Sequence, residues 1–342
     1  MTAGPGRGGR AAAPTASHGP EPAPPSAPLR LRLRLPEPYD LGWVFGFLAD
    51  RATPALERVE PGLLMRVVRL AGVPVLLTVR VRPGPDPRVP RSLAVEAVPA
   101  ASAARTATAD AETAGVAVPP LRRLVRRMLD LDTDLGPFLA MARRDPLLRP
   151  LVARHPGLRL PQLPDPFEGA VRAIVGQQVS VAAARTVVDR LIRTLGQPVA
   201  AGGGGLFAFP HPAAMAAAPA ERLTVLGLTR AKAAALIAVA AATCDGALDW
   251  ERLRAGSSEA AQAALIALPG VGPWTASYIR MRALGDRDAF PASDLGVVKA
   301  LAALVPPASG RSQTVAEIAA LAERWRPFRA YAAIHLWRSL SP

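Results

Sequence analysis

The sequence predicts a mainly α-helical protein with an N-terminal α+β domain built on an antiparallel sheet. Three observations lead there. Residues 29–98 alternate apolar and polar side chains in strand fashion, interrupted by one helical stretch. From Leu121 onward the apolar residues recur almost everywhere at helical spacing, and the Ala/Thr-rich stretch 99–120 separates the two patterns. With 342 residues, half of them hydrophobic, the chain is long enough for two or three domains with sizeable cores.

Residues 1–28 are rich in Pro, Ala and Gly, cannot bury enough apolar surface to offset ordering, and are expected to be disordered. Residues 29–115 form the predicted α+β domain and 116–342 the helical one, with a cleft between two helical lobes. Leu29 to Leu35 alternates Leu and Arg, which predicts a half-buried strand with a basic outer face. That face could touch an anionic partner or simply be solvated. Asp40 to Ala52 reads as an amphipathic helix. Leu63 to Leu70, Val73 to Arg82 and Arg91 to Val98 read as strands, the first two joined at Ala71-Gly72.

In the second part, Leu121 to Met128 and Gly136 to Arg144 carry short amphipathic runs. Asp165-Pro166-Phe167-Glu168 predicts a capping-box helix start, with the helix running through Val175 and another reaching Leu195. Gly202 to Gly205 lacks the Lys-Ser/Thr of a phosphate loop and reads as a connector. Thr229 to Ala242 and Arg329 to Ser339 are further predicted helices.

Composition narrows the function. The formal charge is +14, which favours a polyanionic partner, nucleic acid before an acidic membrane surface. A general arginine bias would give the same number. The single Cys244 excludes an intramolecular disulfide, a thiolate metal cluster and a four-cysteine iron–sulfur cluster. His18, His155, His211 and His335 have no ligand-like spacing. No apolar run approaches a membrane span and residues 1–28 lack a secretory core, so a cytoplasmic, nucleoid-associated protein without membrane contact is expected.

The most informative stretch is Leu268-Pro269-Gly270-Val271-Gly272-Pro273-Trp274-Thr275-Ala276, between helical runs 259–267 and 274–283. Two glycines around one apolar residue predict a tight turn at positive φ, and Pro273 suits the first turn of the next helix. Val271 is expected to point back between the helices. The exposed backbone N–H groups would then seat a phosphate oxygen, as a helix-hairpin-helix does on DNA. An αα-hairpin that merely turns a corner is the plainer alternative. Asp294 opens another helical run 294 − 272 = 22 residues later, a spacing that accommodates one helix and a return loop. It is either a simple N-cap or the acid of a cleft beside the hairpin.

Together these stretches resemble the helix-hairpin-helix DNA glycosylases, in particular the 3-methyladenine DNA glycosylase II branch. The resemblance runs from about Leu29 to Leu340 and rests on several separated motifs. These are Pro38 to Trp43 with Gly46-Phe47-Leu48, Val171 to Ser180, the hairpin with Trp274 to Tyr278, Asp294, and Arg326-Pro327-Phe328 through Tyr331 to His335-Leu336-Trp337.

The resemblance implies a monofunctional enzyme that flips an alkylated base, of 3-methyladenine or 7-methylguanine type, out of duplex DNA and leaves an abasic site. Asp294 would stabilise the oxocarbenium sugar, its charge favoured by the helix N-terminus, and could assist attack by water. Trp274, Tyr278, Trp337 and Phe47 would offer electron-rich faces to a cationic base, with Leu295 where an aromatic often stands. Pro269, Gly270, Val271, Gly272 and Thr275 would grip the backbone. Gln178 or Val179 would fill the hole left by the flipped base, Gln being a poorer wedge than an apolar residue. No cofactor is required; the carbonyls of Ile266, Leu268 and Val271 would hold a structural Na⁺ or K⁺. Trp274 stands where strand-nicking relatives carry a Schiff-base lysine. A monomer is expected. The cysteine-rich regulatory module sometimes fused to this family has no counterpart, so a transcriptional role is not expected. A non-catalytic DNA-binding module and a glycosylase for oxidised or mismatched bases are the rival readings.

Overall fold

The computed structural model describes residues 28–84, 92–100, 117–305 and 312–340, with residues 1, 2 and 4. The expected tail and most of the 99–120 stretch lie outside the described residues. The N-terminal unit contains β1 (Leu29–Arg34), α1 (Leu41–Arg51), β2 (Glu57–Glu60), β3 (Leu63–Leu70), β4 (Val73–Arg82) and β5 (Ser92–Pro99). Its sheet is antiparallel throughout, in the order β1-β5-β4-β3-β2. Strict alternation in β1 turns the leucines toward the core and leaves Arg30, Arg32 and Arg34 exposed. Asp40 caps α1 by accepting the Trp43 N–H at 2.8 Å. The short strand β2 escaped sequence reading because Glu-Arg-Val-Glu carries no apolar alternation. It is a strand because β3 pairs with it, Glu57 opposite Arg66.

Helices follow as α2 (Val118–Met128), α3 (Gly136–Arg144), α4 (Leu148–Arg154), α5 (Pro166–Val175) and α6 (Val181–Leu195). After a two-stranded ribbon, residues 197–199 with 206–208, come α7 (Pro212–Ala216), α8 (Ala220–Thr224), α9 (Arg230–Cys244) and α10 (Trp250–Ala255). The chain ends in α11 (Ser258–Ile266), α12 (Pro273–Ile279), α13 (Leu295–Leu304), α14 (Val315–Ala322) and α15 (Arg329–Arg338). A π-helical turn, Arg280–Leu284, prolongs α12.

Three cores result. Leu121, Leu124 and Val125 of α2 share one with the sheet and α1. A second gathers α5, α6, α9, α11 and α12, and a third α3, α4, α13, α14 and α15. Tyr278 packs against both helical cores and marks the cleft between them.

The capping box expected at Asp165 is only half formed. Asp165 accepts the Phe167 N–H at 2.9 Å, but Glu168 turns inward to meet two guanidiniums. Ion pairing in a buried site outcompetes a bond to a half-exposed backbone amide.

Candidate active site

The hairpin is asymmetric. Gly270 has φ +75°, and a Cβ there would lie 2.7 Å from the Ala235 Cβ on α9, so both the turn and the close approach demand glycine. Gly272 does not take the expected positive φ. It has φ −87°, caps α12, and has open space where a Cβ would be. Its role is to leave the first N–H groups of α12 unobstructed. Val271 is buried as expected, at 4 % exposure, while Pro269 and Gly272 are exposed. The buried Thr275 hydroxyl accepts from the Gln177 side-chain amide at 2.8 Å, and the Gly270 carbonyl accepts from the same amide at 2.9 Å. The hairpin is therefore tied to the loop after α5. The Lys232 ammonium braces that loop by donating to the Val175 and Gln177 carbonyls at 2.9 and 2.7 Å. Within the loop Gln178 is exposed, with φ +56°.

Asp294 caps α13 and lines a cleft of about 470 Å³. Its Oδ1 accepts the Gly296 N–H at 2.9 Å, the Val297 N–H at 3.2 Å and the Trp337 indole N–H at 2.8 Å. Its Oδ2 accepts the Trp274 indole N–H at 3.1 Å. Four donors and no competing carboxylate hold the group in one orientation, on the wall of the cleft rather than in open water. Gly296 makes this possible: a Cβ there would come within 2.9 Å of the Trp337 ring. Trp274 and Tyr278 stack at 5.4 Å and 26°, and Tyr278 meets Trp337 at 6.4 Å.

The cleft is also lined by charge, at Arg51, Glu57, Arg66, Arg172 and Arg282. Arg66 pairs with Glu57 and Glu168, all three buried. Arg172 donates to Glu168 at 2.6 Å, to Glu57 at 3.1 Å, to the Thr53 hydroxyl at 3.1 Å and to the Arg51 carbonyl at 3.3 Å. Burial pushes the Glu168 carboxyl up, but Arg66 and Arg172 outweigh it and hold the group below its ordinary value. This network joins β2, β3 and the end of α1 to α5.

Comparison with known proteins places these features in a family. Residues 30–165 match the AlkA N-terminal domain, and residues 171–327 match the HhH-GPD superfamily of base excision DNA repair proteins. The chain is 31% identical over 300 residues to DNA-3-methyladenine glycosylase 2 of Escherichia coli (strain K12), covering 88% of this chain and 94% of that one. The chain belongs to the AlkA family of 3-methyladenine DNA glycosylases. It is also similar, at 39% identity over 317 residues, to a Mycobacterium tuberculosis (strain H37Rv) probable bifunctional transcriptional activator/DNA repair enzyme AlkA. That match covers 91% of this chain but spans only 57% of the relative's length. Among solved structures, a 3-methyladenine DNA glycosylase from Archaeoglobus fulgidus superposes with a TM-score of 0.72 at 26% identity, covering 91% of this chain and 99% of that one.

Against the AlkA pattern, the structure brings together Asp294, Trp274, Tyr278, Trp337 and Leu295 on the cleft, with Val179 at its rim. Leu295 is 65 % exposed. Phe47 stands apart. It is 3 % exposed, stacks behind Trp337 at 6.2 Å, and has the guanidiniums of Arg51 and Arg282 at 3.7 and 4.4 Å from its ring centre. Its neighbour Leu48 lines the cleft instead. The expected cation over Phe47 is thus supplied by the protein itself. Asp286 and Asp288, in the loop before Asp294, are half-buried ion-pair partners of Arg280 and of Arg326 with Arg329. Sequence reading missed Gln177, Lys232 and Gly296. Only Gln177 carried a signal, its position inside the motif Val171 to Ser180.

Proposed function

We propose that this chain is a monofunctional DNA glycosylase that excises alkylated bases from duplex DNA and leaves an abasic site. The observation that carries the reading is Asp294, held by the Trp274 and Trp337 indoles on the wall of a base-sized cleft. An anion fixed there stabilises the positive charge that develops at C1′ as the glycosidic bond breaks. A cationic leaving base needs little acid assistance, so one carboxylate suffices. Trp274, Tyr278 and Trp337 supply the ring faces for that base.

The exposed turn at Gly272 supports a phosphate contact, and the exposure of Gln178 and Val179 supports their role in filling the vacated stack. The Ile266 carbonyl ends α11 and the Val271 carbonyl lies in the turn before α12, while the Leu268 carbonyl accepts the Val271 N–H at 3.2 Å. Such a set of oxygens fits a monovalent cation bridging to phosphate, with no cofactor needed for the chemistry. The protein acts as a monomer. Among the described residues no helix is long and apolar enough to cross a membrane.

Base release from methylated duplex DNA tests the reading. Wild type releases methylated purines; Asp294→Asn loses about 10²-fold or more of that rate, on the scale of removing one transition-state contact, and still binds duplex. Release that is absent from both forms, with binding intact, would make the chain a non-catalytic DNA-binding module. Strand cleavage at the resulting abasic site would refute the monofunctional assignment.

A further inference from the structure

Arg282 lies in the π-helical turn that prolongs α12, four residues beyond Tyr278. It is 3 % exposed, and it lines the cleft. Its Nε and Nη1 are sequestered without any hydrogen-bond partner, which leaves Nη2 as the nitrogen a molecule in the cleft could reach. The guanidinium carbon sits 4.4 Å from the centre of the Phe47 ring, and Phe47 in turn backs Trp337. The side chain is thus fixed by packing, not by a counter-charge.

Its neighbours make the contrast plain. Arg66 and Arg172 have their charges answered by Glu57 and Glu168. Arg282 has no carboxylate partner among the described residues. Burial, aided by the positive charges of Arg51, Arg172 and Arg66, lowers its pKa to about 10, so it stays a cation at neutral pH. A buried guanidinium without a counter-charge is costly, and one that presents its remaining nitrogen, Nη2, to a cleft points to an acceptor that arrives with the ligand.

A guanidinium has only N–H donors. An exocyclic carbonyl on the flipped base satisfies it. An exocyclic amine sets donor against donor. We propose that Arg282 is a specificity-determining residue that hydrogen-bonds the exocyclic carbonyl of the extruded base, favouring guanine-type bases over adenine-type ones. The inference rests on the base-excision reading above and names which alkylated purines that site prefers.

Single-turnover release from duplexes carrying one 7-methylguanine or one 3-methyladenine tests it, with full-length wild type and Arg282→Met. Loss of one charge-assisted hydrogen bond should slow 7-methylguanine release by about tenfold or more. Release of 3-methyladenine should be unchanged or faster. An unchanged ratio overturns the proposal. Equal slowing on both bases, with weaker binding to abasic duplex, also overturns it and reassigns Arg282 to the phosphate backbone. If wild type releases neither base, the excision reading itself fails, and that outcome is distinct from a lost preference.

A wild-type measurement guards against a variant that does not fold. Free 7-methylguanine and 2-amino-7-methylpurine differ in the 6-carbonyl and the N1–H that accompanies it, and their binding can be followed by quenching of the cleft tryptophans. Binding about tenfold tighter for the carbonyl form is expected; equal binding overturns the proposal.

Discussion

The two sides of the cleft are built on different physics. The wall around Asp294 uses neutral groups, two indole N–H and two backbone N–H, to hold a single carboxylate. The other set uses full charges, Glu57, Arg66 and Arg172 on the lining with Glu168 behind them, locked in a network that joins the sheet domain to α5. Neutral donors fix the acid and leave its charge uncompensated, which suits a group meant to face a developing cation. Glu57 and Glu168 answer the charges of Arg66 and Arg172, and the four together work as a clamp between domains. Arg51 and Arg282, which line the same cleft, have no carboxylate partner among the described residues. The N-terminal domain itself shapes the cleft, through Leu48, Arg51, Glu57 and Arg66.

The clamp is where the larger stability effect is expected. Glu168→Gln leaves Arg66 and Arg172 short of a buried counter-charge, and breaking a buried pair this way costs about 3–5 kcal/mol. Thermal or urea unfolding should show that loss, while the fraction still folded excises bases at close to the wild-type rate. A variant as stable as wild type would mean water reaches the network and solvates the orphaned guanidiniums.

On the aromatic wall the effect should be kinetic. Trp337→Phe and Trp274→Phe keep a ring and each remove one N–H from Asp294. Hydrogen bonds to a charged group are worth about 1.5–3 kcal/mol, so single-turnover release should fall about tenfold or more in each variant with little change in melting temperature. The reverse pattern, a lower melting temperature with an unchanged rate, would show that the indoles support packing and do not orient the acid.

The two sides also differ in how much of them the sequence reveals. The aromatic wall is local. Hairpin, Trp274 and Tyr278 share ten residues, and Asp294 announces itself as a helix cap, so spacing alone brings them close. The fold class was legible for a similar reason, since alternation in Leu29 to Leu35 and helical periodicity after Leu121 are properties of short windows. The charged side is not local. Arg66 and Glu168 are 102 residues apart, and β2, which carries Glu57, has no strand signature of its own. Glu168 in the sequence looks like half of a capping box. Nothing in the window says that two arginines will draw it inward. Phe47 was readable as an aromatic near the cleft, with Arg51 one turn further along the same helix, but its cover by Arg282 follows only from how α1 packs against the turn after α12.

A second buried, unpartnered titratable group sharpens the contrast with Arg282. His335 has neither ring nitrogen hydrogen-bonded and packs 5.4 Å from Phe138, away from the cleft lining. Burial lowers its pKa to about 3, so it remains neutral where Arg282 remains charged. Unfolding restores a value near 6.5. The unfolded chain then binds the extra proton as pH falls from about 6.5 toward 3, and stability drops through that window. At pH 5 the loss is about 2 kcal/mol. Asp165, raised to about 6 chiefly by burial and next by Glu168, works in the opposite sense between its unfolded value near 4 and pH 6. The difference between wild type and His335→Leu isolates the histidine: the variant should lose less stability between pH 7 and pH 5. Parallel curves would mean that His335 is hydrated in solution.

The smallest effect is expected where the cleft meets the hairpin. Gln177 donates to the Gly270 carbonyl and to Thr275, so one side chain couples the backbone grip to the loop carrying Gln178 and Val179. Gln178, at φ +56°, holds a backbone conformation that a side-chain-bearing residue seldom adopts, and such a residue needs its neighbours to keep it in place. Gln177→Ala removes that tie while Lys232 still braces the preceding carbonyls. Neutral hydrogen bonds of this kind are worth about 1 kcal/mol net, so abasic-duplex affinity should weaken by about fivefold at fixed salt. The slope of affinity against salt should not change, because no phosphate-neutralising cation is lost. A changed slope would place Gln177 in charge of an arginine or lysine contact to the backbone. An unchanged affinity would show that grip and wedge act independently.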